Sequence, residues 1–333
     1  MATKLTGKQL TKVTKKDLAN AVDDGNGVLY SPDGKRLIKL INRDLEYYAI
    51  KEGTEVIADE AFIPKKGMGD RKKKLKELVI PNTVTHIGKG AFVACNRMKR
   101  VVLPDSVTYL GECAFQGCNL IEEIVLPDAL AYIGGMAFHQ CSSLKHIVLP
   151  KKARHIDPTS FCDCPNVEIE SRSSRFVVQD GFLIDNLYQR LLLYFGKKKA
   201  VTLPEGIVWF NWTAFSDSDV EEVALPDTVK ILGFRAFNSC HSLRKVTLPS
   251  TIVEIVGWTF TLCESLQEIC VPKGCKETYR KMMQEAVDQA NTDEDCLFSY
   301  RVLNKLNPDK FKDSEDYLSA LLPVKYWDLL VEV

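Results

Sequence analysis

A block of 23 residues repeats along the middle of this chain, and its period constrains the fold more than any other feature. Each repeat carries a proline, a phenylalanine and a cysteine at fixed phases. The first four sets are Pro81, Pro104, Pro127 and Pro150; Phe92, Phe115, Phe138 and Phe161; and Cys95, Cys118, Cys141 and Cys164. A steady period of roughly 20–29 residues with fixed apolar phases predicts a leucine-rich solenoid, in which each repeat packs only against its neighbours.

The segment before each repeat proline is predicted to be a β-strand. In the first regular repeat, Leu78 and Ile80 alternate with Glu77 and Val79, which is the two-residue period of a strand with one buried face. Proline ends the strand, where the loss of one amide costs little. Stacked repeats therefore predict a mainly β coil with a parallel sheet.

A glycine recurs a few residues after the strand, and we predict a turn with positive φ there, since glycine adopts that conformation without strain. The glycines concerned are Gly88, Gly111, Gly134 and Gly233.

Two β-hairpins interrupt the repeats. Apolar runs flank the turn signal at residues 31–34, and residues 181–195 repeat the same plan. We predict an N-terminal lead-in or cap at 1–26, a solenoid at 27–275 with hairpins near 27–41 and 175–195, and a partly helical C-terminal cap at 276–333.

The repeat consensus LxxIxLPxxVxxIGxxAFxxCxxL, over roughly residues 50–272, resembles the BspA-like leucine-rich repeat family. The resemblance implies a right-handed coil with a continuous parallel sheet, and its hairpin insertions look like those of the same family. It also implies a non-catalytic binding role, often adhesion of a cell-surface protein to matrix or host proteins.

Charge and hydropathy narrow the partner class. The sequence has 44 Lys and Arg residues and 44 Asp and Glu residues, and a balanced surface argues against nucleic acid. No apolar run approaches the ~18 residues that a membrane span needs. The basic N-terminus lacks a following apolar segment, so the sequence as it stands predicts a cytoplasmic protein. The alternative is a surface or secreted protein whose export signal has been removed.

The positions of the cysteines favour a structural role over a catalytic or redox role. Six of the 11 cysteines follow a repeat phenylalanine by three residues, so we predict a buried, reduced column. The rival reading is a thiol-based enzyme or redox protein that uses Cys113, Cys162 and Cys296. Cys162 and Cys164 lack a second ligand pair for zinc, and no cofactor motif is present. The basic run at 71–74 fits a solvated loop better than an anion site.

Three columns of side chains are candidate binding surfaces. The outward strand positions give a charged column and a valine column. The charged column is Glu77, Arg100, Glu123, His146, Glu222, Lys245 and Glu268; the valine column is Val79, Val102, Val125 and Val148, continued by Ala224 and Thr247. The charges fit an ion-pair ladder between neighbouring strands. The valines fit either ordinary strand residues or an exposed contact stripe.

An aromatic column forms the alternative face, and its members are His86, Tyr109, Tyr132, His155 and Trp209. Such rings could hold a peptide or a sugar, or could pack against the flank of the coil. The hypothesis that follows is a scaffold for a protein partner, with a carbohydrate as the alternative ligand. The predicted binding face comprises Val79, Arg100, Val102, Glu123, Val125, His146 and Val148.

Overall fold

A computed structural model describes residues 6–42, 44–63, 74–210, 214–215, 218–233, 235–257, 259–292 and 326–333. The chain divides into two compact units, unit 1 (residues 1–178) and unit 2 (residues 179–333). The predicted fold class, a mainly β leucine-rich repeat solenoid with few helices, is confirmed. The division falls inside the stretch predicted as one solenoid, and the domain boundaries predicted near residues 26 and 275 stay predictions.

Short strands dominate unit 1. Its elements in chain order are α1 (Gly7–Thr11), α2 (Lys15–Ala19), β1 (Val22–Asp23), β2 (Val28–Tyr30), β3 (Arg36–Leu40), β4 (Tyr47–Ala49), β5 (Val56–Ile57), β6 (Glu77–Val79), β7 (His86–Ile87), β8 (Arg100–Val102), β9 (Tyr109–Leu110), β10 (Glu123–Val125), β11 (Tyr132–Ile133), β12 (His146–Leu149), β13 (His155–Ile156), a 3-10 helix (Pro158–Phe161) and β14 (Glu168–Ser171).

Each turn of the coil contributes two parallel strands. The strand before the proline forms a first ladder, in which β8, β10, β12 and β14 are neighbours and β4 pairs with β6. The apolar pair after the proline forms a second ladder through β5, β7, β9, β11 and β13. The sequence predicted one continuous sheet and missed the second ladder, because two residues are too few to show a strand period.

Both hairpins are present. β2 pairs antiparallel with β3 across the turn at 31–34, where Gly34 N donates to Ser31 O at 2.8 Å. In unit 2, β16 (Phe182–Asp185) pairs antiparallel with β17 (Arg190–Tyr194). Each hairpin leads into the second ladder, since β3 continues in parallel to β5 and β17 continues to β19 (Trp209–Phe210).

The predicted positive φ at the repeat glycines is wrong for Gly88, Gly111 and Gly134, none of which has that conformation. Their role is close packing. A Cβ on Gly111 would lie 2.6 Å from Lys89 N, and one on Gly134 would lie 2.6 Å from Glu112 N. Glycine is needed here because the backbone of the preceding turn occupies the space of a side chain.

The left-handed residues lie at two other phases, and most are not glycine. Cys113 and Met136 have φ of 56° and 55°, and Ala94 and Gln140 have φ of 55° and 59°. Their amides reach the next turn of the coil: Cys113 N donates to Gly135 O at 2.8 Å, and Ala94 N donates to Gln116 O at 2.8 Å. These turns therefore carry hydrogen bonds along the coil, as the strands do.

The phenylalanines and cysteines fill the centre of the coil. Phe92, Phe115 and Phe138 are at most 1% exposed, and neighbouring rings lie 5.1 and 6.0 Å apart. Five of the column cysteines (Cys118, Cys141, Cys164, Cys240 and Cys263) donate the thiol to a phenylalanine carbonyl of the previous turn; Cys141 Sγ, for example, lies 3.3 Å from Phe115 O. The predicted column of buried thiols outside any disulfide is present for Cys95, Cys118, Cys141, Cys164, Cys240 and Cys263.

Unit 2 repeats the plan and ends in a mixed cap. Its remaining elements are β15 (Phe176–Gln179, across the division), β18 (Ala200–Thr202), β20 (Glu222–Ala224), β21 (Ile231–Leu232), β22 (Lys245–Thr247), β23 (Glu254–Ile255), β24 (Glu268–Val271), α3 (Lys276–Thr292), a 3-10 helix (Tyr326–Leu329) and β25 (Leu330–Glu332). Helix α3 buries Tyr279, Met283 and Ala286, and Tyr279 Oη donates to Pro249 O. β25 adds a parallel strand beside β24. Because helix α3 precedes this strand, the predicted partly helical end is confirmed.

Candidate binding face

The outward charges of the first ladder pair with one another. Arg100 and Glu123 stand opposite in register, and Arg100 Nε donates to Glu123 Oε2 at 3.0 Å. In unit 2, Lys245 Nζ lies 3.2 Å from Glu268 Oε2. These contacts favour the ion-pair reading of the charged column, because such side chains are already engaged and are poor handles for a ligand.

His146 stands opposite Glu123 in register, but its Nε2 lies 3.2 Å from Oε1 of Glu170 on β14. Glu170 was not among the predicted site residues. It follows Val148 in register, so a carboxylate replaces the next valine of the row. Only the register of the folded ladder, where the 23-residue period has shortened, could have placed it there.

The valine stripe, by which we mean Val79, Val102, Val125 and Val148, lies on the outward face of unit 1. Val79, Val102 and Val125 are 64%, 49% and 40% exposed, and Val148 is half-buried. Val102 pairs in register with Val125. With paired strands ~4.8 Å apart, the stripe is a short apolar row that runs beside the ion pair of Arg100 and Glu123.

Four of the five predicted aromatic residues form one stack on the second ladder of unit 1. Successive ring centroids of His86, Tyr109, Tyr132 and His155 are 5.5, 4.7 and 4.5 Å apart, and the rings are tilted by no more than 30°. We call these four the aromatic stack. All are half-buried. Because the rings face one another, the stack presents ring edges outward.

Helix α1 packs against Tyr109 of the aromatic stack. Gly7 approaches the Tyr109 ring so closely that a Cβ would lie 2.5 Å from Cδ2, and Asp59 N donates to Thr11 O at 2.9 Å. Burial raises the pKa of the Tyr109 hydroxyl to about 12 and lowers the pKa of His86. The sequence did not reveal this contact, because the lead-in carries no repeat phase.

Trp209, the fifth predicted aromatic residue, belongs to unit 2 and has other contacts. Its Nε1 donates to Tyr188 O at 3.2 Å, and the Arg190 guanidinium lies 5.5 Å from the ring centroid. Arg190 also lies 3.4 Å from the buried carboxylate of Asp185. Trp209 lies on β19 of the second ladder, and its ring packs against the second hairpin. Its place in the aromatic column stays a prediction.

Little in the described residues suggests catalysis. No group of three or more metal-ligating side chains stands together in the part of the chain that the structure describes. Of the rival thiols, Cys113 and Cys162 are half-buried and Cys296 lies outside the described residues. Burial raises the pKa of Cys113, which lowers its thiolate fraction and its reactivity. Residues 71–73 of the basic run are also outside, and Lys74 contacts Asp44 at 2.8 Å.

Comparison with solved structures finds the same fold. A leucine rich cell surface protein from Faecalibacterium prausnitzii is 23% identical over 72% of this chain and 70% of its own, with a TM-score of 0.57. The pneumococcal vaccine antigen PcpA is 15% identical over 76% of this chain and 80% of its own, with a TM-score of 0.51. No curated protein matches the sequence. Among described residues, no helix is both long and apolar enough to span a membrane.

The family model for the BspA type leucine rich repeat region matches residues 69–180 and 193–290, with six copies of the repeat. These ranges cover more than half of the chain and include most of the two-ladder turns described above. The chain belongs to the BspA type leucine-rich repeat family.

Proposed function

We propose that this protein is a non-catalytic scaffold that binds another protein along the valine stripe of unit 1. One observation carries the proposal: Val102 and Val125, which pair in register, are 49% and 40% exposed, and Val79 in the preceding turn is 64% exposed. Exposed apolar rows of this kind mark contact surfaces, since single exposed apolar residues are common but aligned ones are not.

Typical interaction free energies favour the valines over the charges as the source of affinity. Fully burying a valine contributes about 1.5 kcal/mol or more. An exposed ion pair contributes about 0.2–1 kcal/mol, and Arg100 has already made its pair with Glu123. The charges would therefore act on partner choice and register, and the valines on affinity.

The carbohydrate alternative draws no support from the aromatic stack. Sugars pack against the faces of aromatic rings, and in this stack the inner faces are covered by the neighbouring rings at 4.5–5.5 Å. The face of Trp209 likewise holds the Arg190 guanidinium. A protein partner thus remains the proposed ligand class.

We further propose that the protein acts in adhesion at the cell surface. This location would replace the cytoplasmic one that the sequence predicted. The cell-surface description of the Faecalibacterium protein supports it. Brief protease treatment of intact source cells tests the location: loss of the protein from treated cells supports a surface position, and full protection while cytosolic markers survive contradicts it.

The central experiment replaces Val102 and Val125 together with Glu. Both side chains point outward, so the fold should survive, but capture of the native partner should be lost. Thr108→Glu is the control, because Thr108 is exposed and directly precedes β9, on the second ladder's side of the same turn as Val102. Tyr109→Ala with Tyr132→Ala tests the aromatic stack. Retention of the partner by the valine variant and its loss from the tyrosine variant would overturn the proposal.

Thiol labelling separates the scaffold from the thiol-enzyme rival. Burial raises the pKa of Cys164 to about 12, and that of Cys141 also rises, so both should resist labelling in native protein and react after unfolding. A cysteine that labels rapidly in native protein at neutral pH would favour the rival.

A further inference from the structure

An exposed aromatic residue stands at the N-terminal end of the valine stripe. Tyr47 lies on β4, the strand that pairs in parallel with β6, and stands opposite Glu77 in register. Two residues further along β4, Ala49 stands opposite Val79, the first valine of the stripe. Tyr47 and Ala49 are both exposed, and the residue between them is buried. The outward face of the first ladder therefore begins with a tyrosine directly before the valines.

The adjacent tyrosine on the same strand is built into the fold, and Tyr47 is not. Tyr48 is 7% exposed, and its hydroxyl lies 2.7 Å from the Tyr30 hydroxyl and donates to Asp24 Oδ2 at 2.7 Å. Tyr47 is 57% exposed, and its hydroxyl makes no hydrogen bond within the residues that the structure describes. The ammonium group of Lys76 lies 5.8 Å from its ring centroid, which steadies the ring and leaves most of it in water.

Unit 2 shows that the strand pairing does not require these apolar side chains. In each unit, the first strand of this ladder after the hairpin pairs in parallel with the next, β4 with β6 and β18 with β20. The corresponding pairs are Ala200 with Glu222 for Tyr47 with Glu77, and Thr202 with Ala224 for Ala49 with Val79. The same pairing thus forms with alanine in place of both the tyrosine and the first valine.

We propose that Tyr47 anchors the protein partner at the N-terminal end of the valine stripe, an inference that rests on the proposed function. Tyrosine is enriched among the few interface residues that supply most of the binding free energy, because it combines a large apolar ring with one polar group. The partner that fits has an apolar row over the valines. Beyond Val79 it has an apolar pocket for the ring, with a hydrogen-bond acceptor for the phenol hydroxyl.

The opposite end of the stripe gives this surface a direction. There Glu170 follows Val148 in register, and its carboxylate lies 3.2 Å from His146 Nε2. A partner docked in reverse would place its apolar pocket on this carboxylate, and burying a charge against apolar groups is costly. The ring at one end and the carboxylate at the other therefore favour a single orientation of the partner.

The test first identifies the partner with a photoreactive residue beside Tyr47. The full chain carries p-benzoylphenylalanine in place of Ala49, which is exposed and leaves Tyr47 and all the valines unchanged. It is mixed with an extract of the source cells and irradiated, and the crosslinked protein is identified by mass spectrometry. The same chain with Val102→Glu and Val125→Glu should not form this crosslink. That dependence identifies the captured protein as the partner of the stripe.

The purified captured protein then serves as the probe for affinity. Tyr47→Ala should weaken its binding by about thirtyfold, the ratio expected for loss of a residue that anchors an interface. Tyr47→Phe keeps the ring and loses one hydrogen bond, so it should weaken binding only about fivefold. Thermal melts of both variants should match wild type, because the side chain is exposed.

Tyr188→Ala in unit 2 is the matched control. Tyr188 is also 57% exposed, and the Arg190 guanidinium lies 5.7 Å from its ring centroid, much as Lys76 lies near Tyr47. It lies outside the valine stripe, so its replacement should leave binding of the captured protein unchanged.

Three results would overturn the inference. If the crosslink depends on Val102 and Val125 but Tyr47→Ala binds as tightly as wild type, Tyr47 is no anchor, and the valine-stripe proposal stands. An equal loss of binding in Tyr188→Ala would show that the effect is not specific to the end of the stripe. The absence of any crosslink that depends on the two valines would contradict both this inference and the proposed function.

Discussion

Two columns of aromatic rings run through the same turns of unit 1, and they differ in what they contribute. The phenylalanine rings stack at 5.1–6.0 Å and the aromatic stack at 4.5–5.5 Å, so the geometry is similar. The phenylalanines are at most 3% exposed, whereas the tyrosines and histidines are half-buried. Regular stacking thus reflects the period of the coil, whereas burial determines how much each ring contributes to the free energy of unfolding.

The difference matters for assigning function. A stack of rings invites a ligand-binding interpretation, yet equal spacing appears wherever a ring recurs at one phase. The phenylalanine column is core by any measure, and the tyrosines beside it stack just as well. Exposed ring faces, not stacking, would have indicated a binding platform.

The largest expected effect falls on the buried column. Phe115→Ala should lower the free energy of unfolding by about 3–5 kcal/mol, because a 0%-exposed ring with a ring on each side leaves a cavity that neighbours cannot fill. Urea denaturation followed by circular dichroism measures it. Phe115→Leu, which keeps most of the volume, should lose much less. Near-neutral stability of the alanine variant would contradict the assignment of this column as core.

Glycine packing gives the next largest effect. Gly134→Ala should cost about 1–3 kcal/mol, because the new Cβ would lie 2.6 Å from the backbone nitrogen of Glu112. The adjacent Gly135 is the control: its Cβ would meet only side-chain atoms, the nearest being the Thr159 hydroxyl at 3.1 Å, so the contact is less severe. Thermal melts of both variants measure the contrast. Equal losses would refute close backbone approach as the reason for the repeat glycine.

The half-buried stack should be less sensitive. Tyr132→Ala should cost about 1 kcal/mol, in the range of aromatic pair energies of ~0.5–1.5 kcal/mol, since the ring keeps part of its contact with water in the native state. The same urea titration applies, with Tyr132→Phe as the conservative control. A loss as large as that of Phe115→Ala would erase the distinction between the two columns.

Alkaline pH should show the smallest effect. The folded pKa of Tyr109 is raised from 10.0 to about 12 by burial, so its stabilisation is complete below pH 10 and is lost as the pH rises toward 12. Other buried tyrosines titrate high as well, so the readout is the difference between wild type and Tyr109→Phe in melts from neutral pH to pH 12. The variant should lose less stability; identical profiles would place Tyr109 in solvent.

Much of this architecture could be read from the period. Residues that share a phase do stand opposite one another in the ladders, as Arg100 with Glu123 and Val102 with Val125. The buried phenylalanine and cysteine columns follow from the same rule. Phase predicts neighbours reliably because a solenoid places each residue beside its counterpart in the next turn.

What phase alone could not supply is the packing between non-equivalent parts. The covering of Tyr109 by α1, and of Trp209 by Arg190, depends on segments outside the repeat. The reason for Gly111 is the position of a neighbouring backbone, which no single repeat contains.

The left-handed turns have a consequence for how the coil assembles. An L-residue such as Cys113, Met136 or Gln140 holds its positive φ at a cost of about 1 kcal/mol. The amides of Cys113 and Gln140 find their acceptors, Gly135 O and Cys162 O, only in the following turn. A turn made alone would bear the strain without the hydrogen bond. Each strained turn is therefore stable only when the next turn has also formed. Folding should be cooperative between adjacent turns, and the last turn of any truncated array should be the first to open.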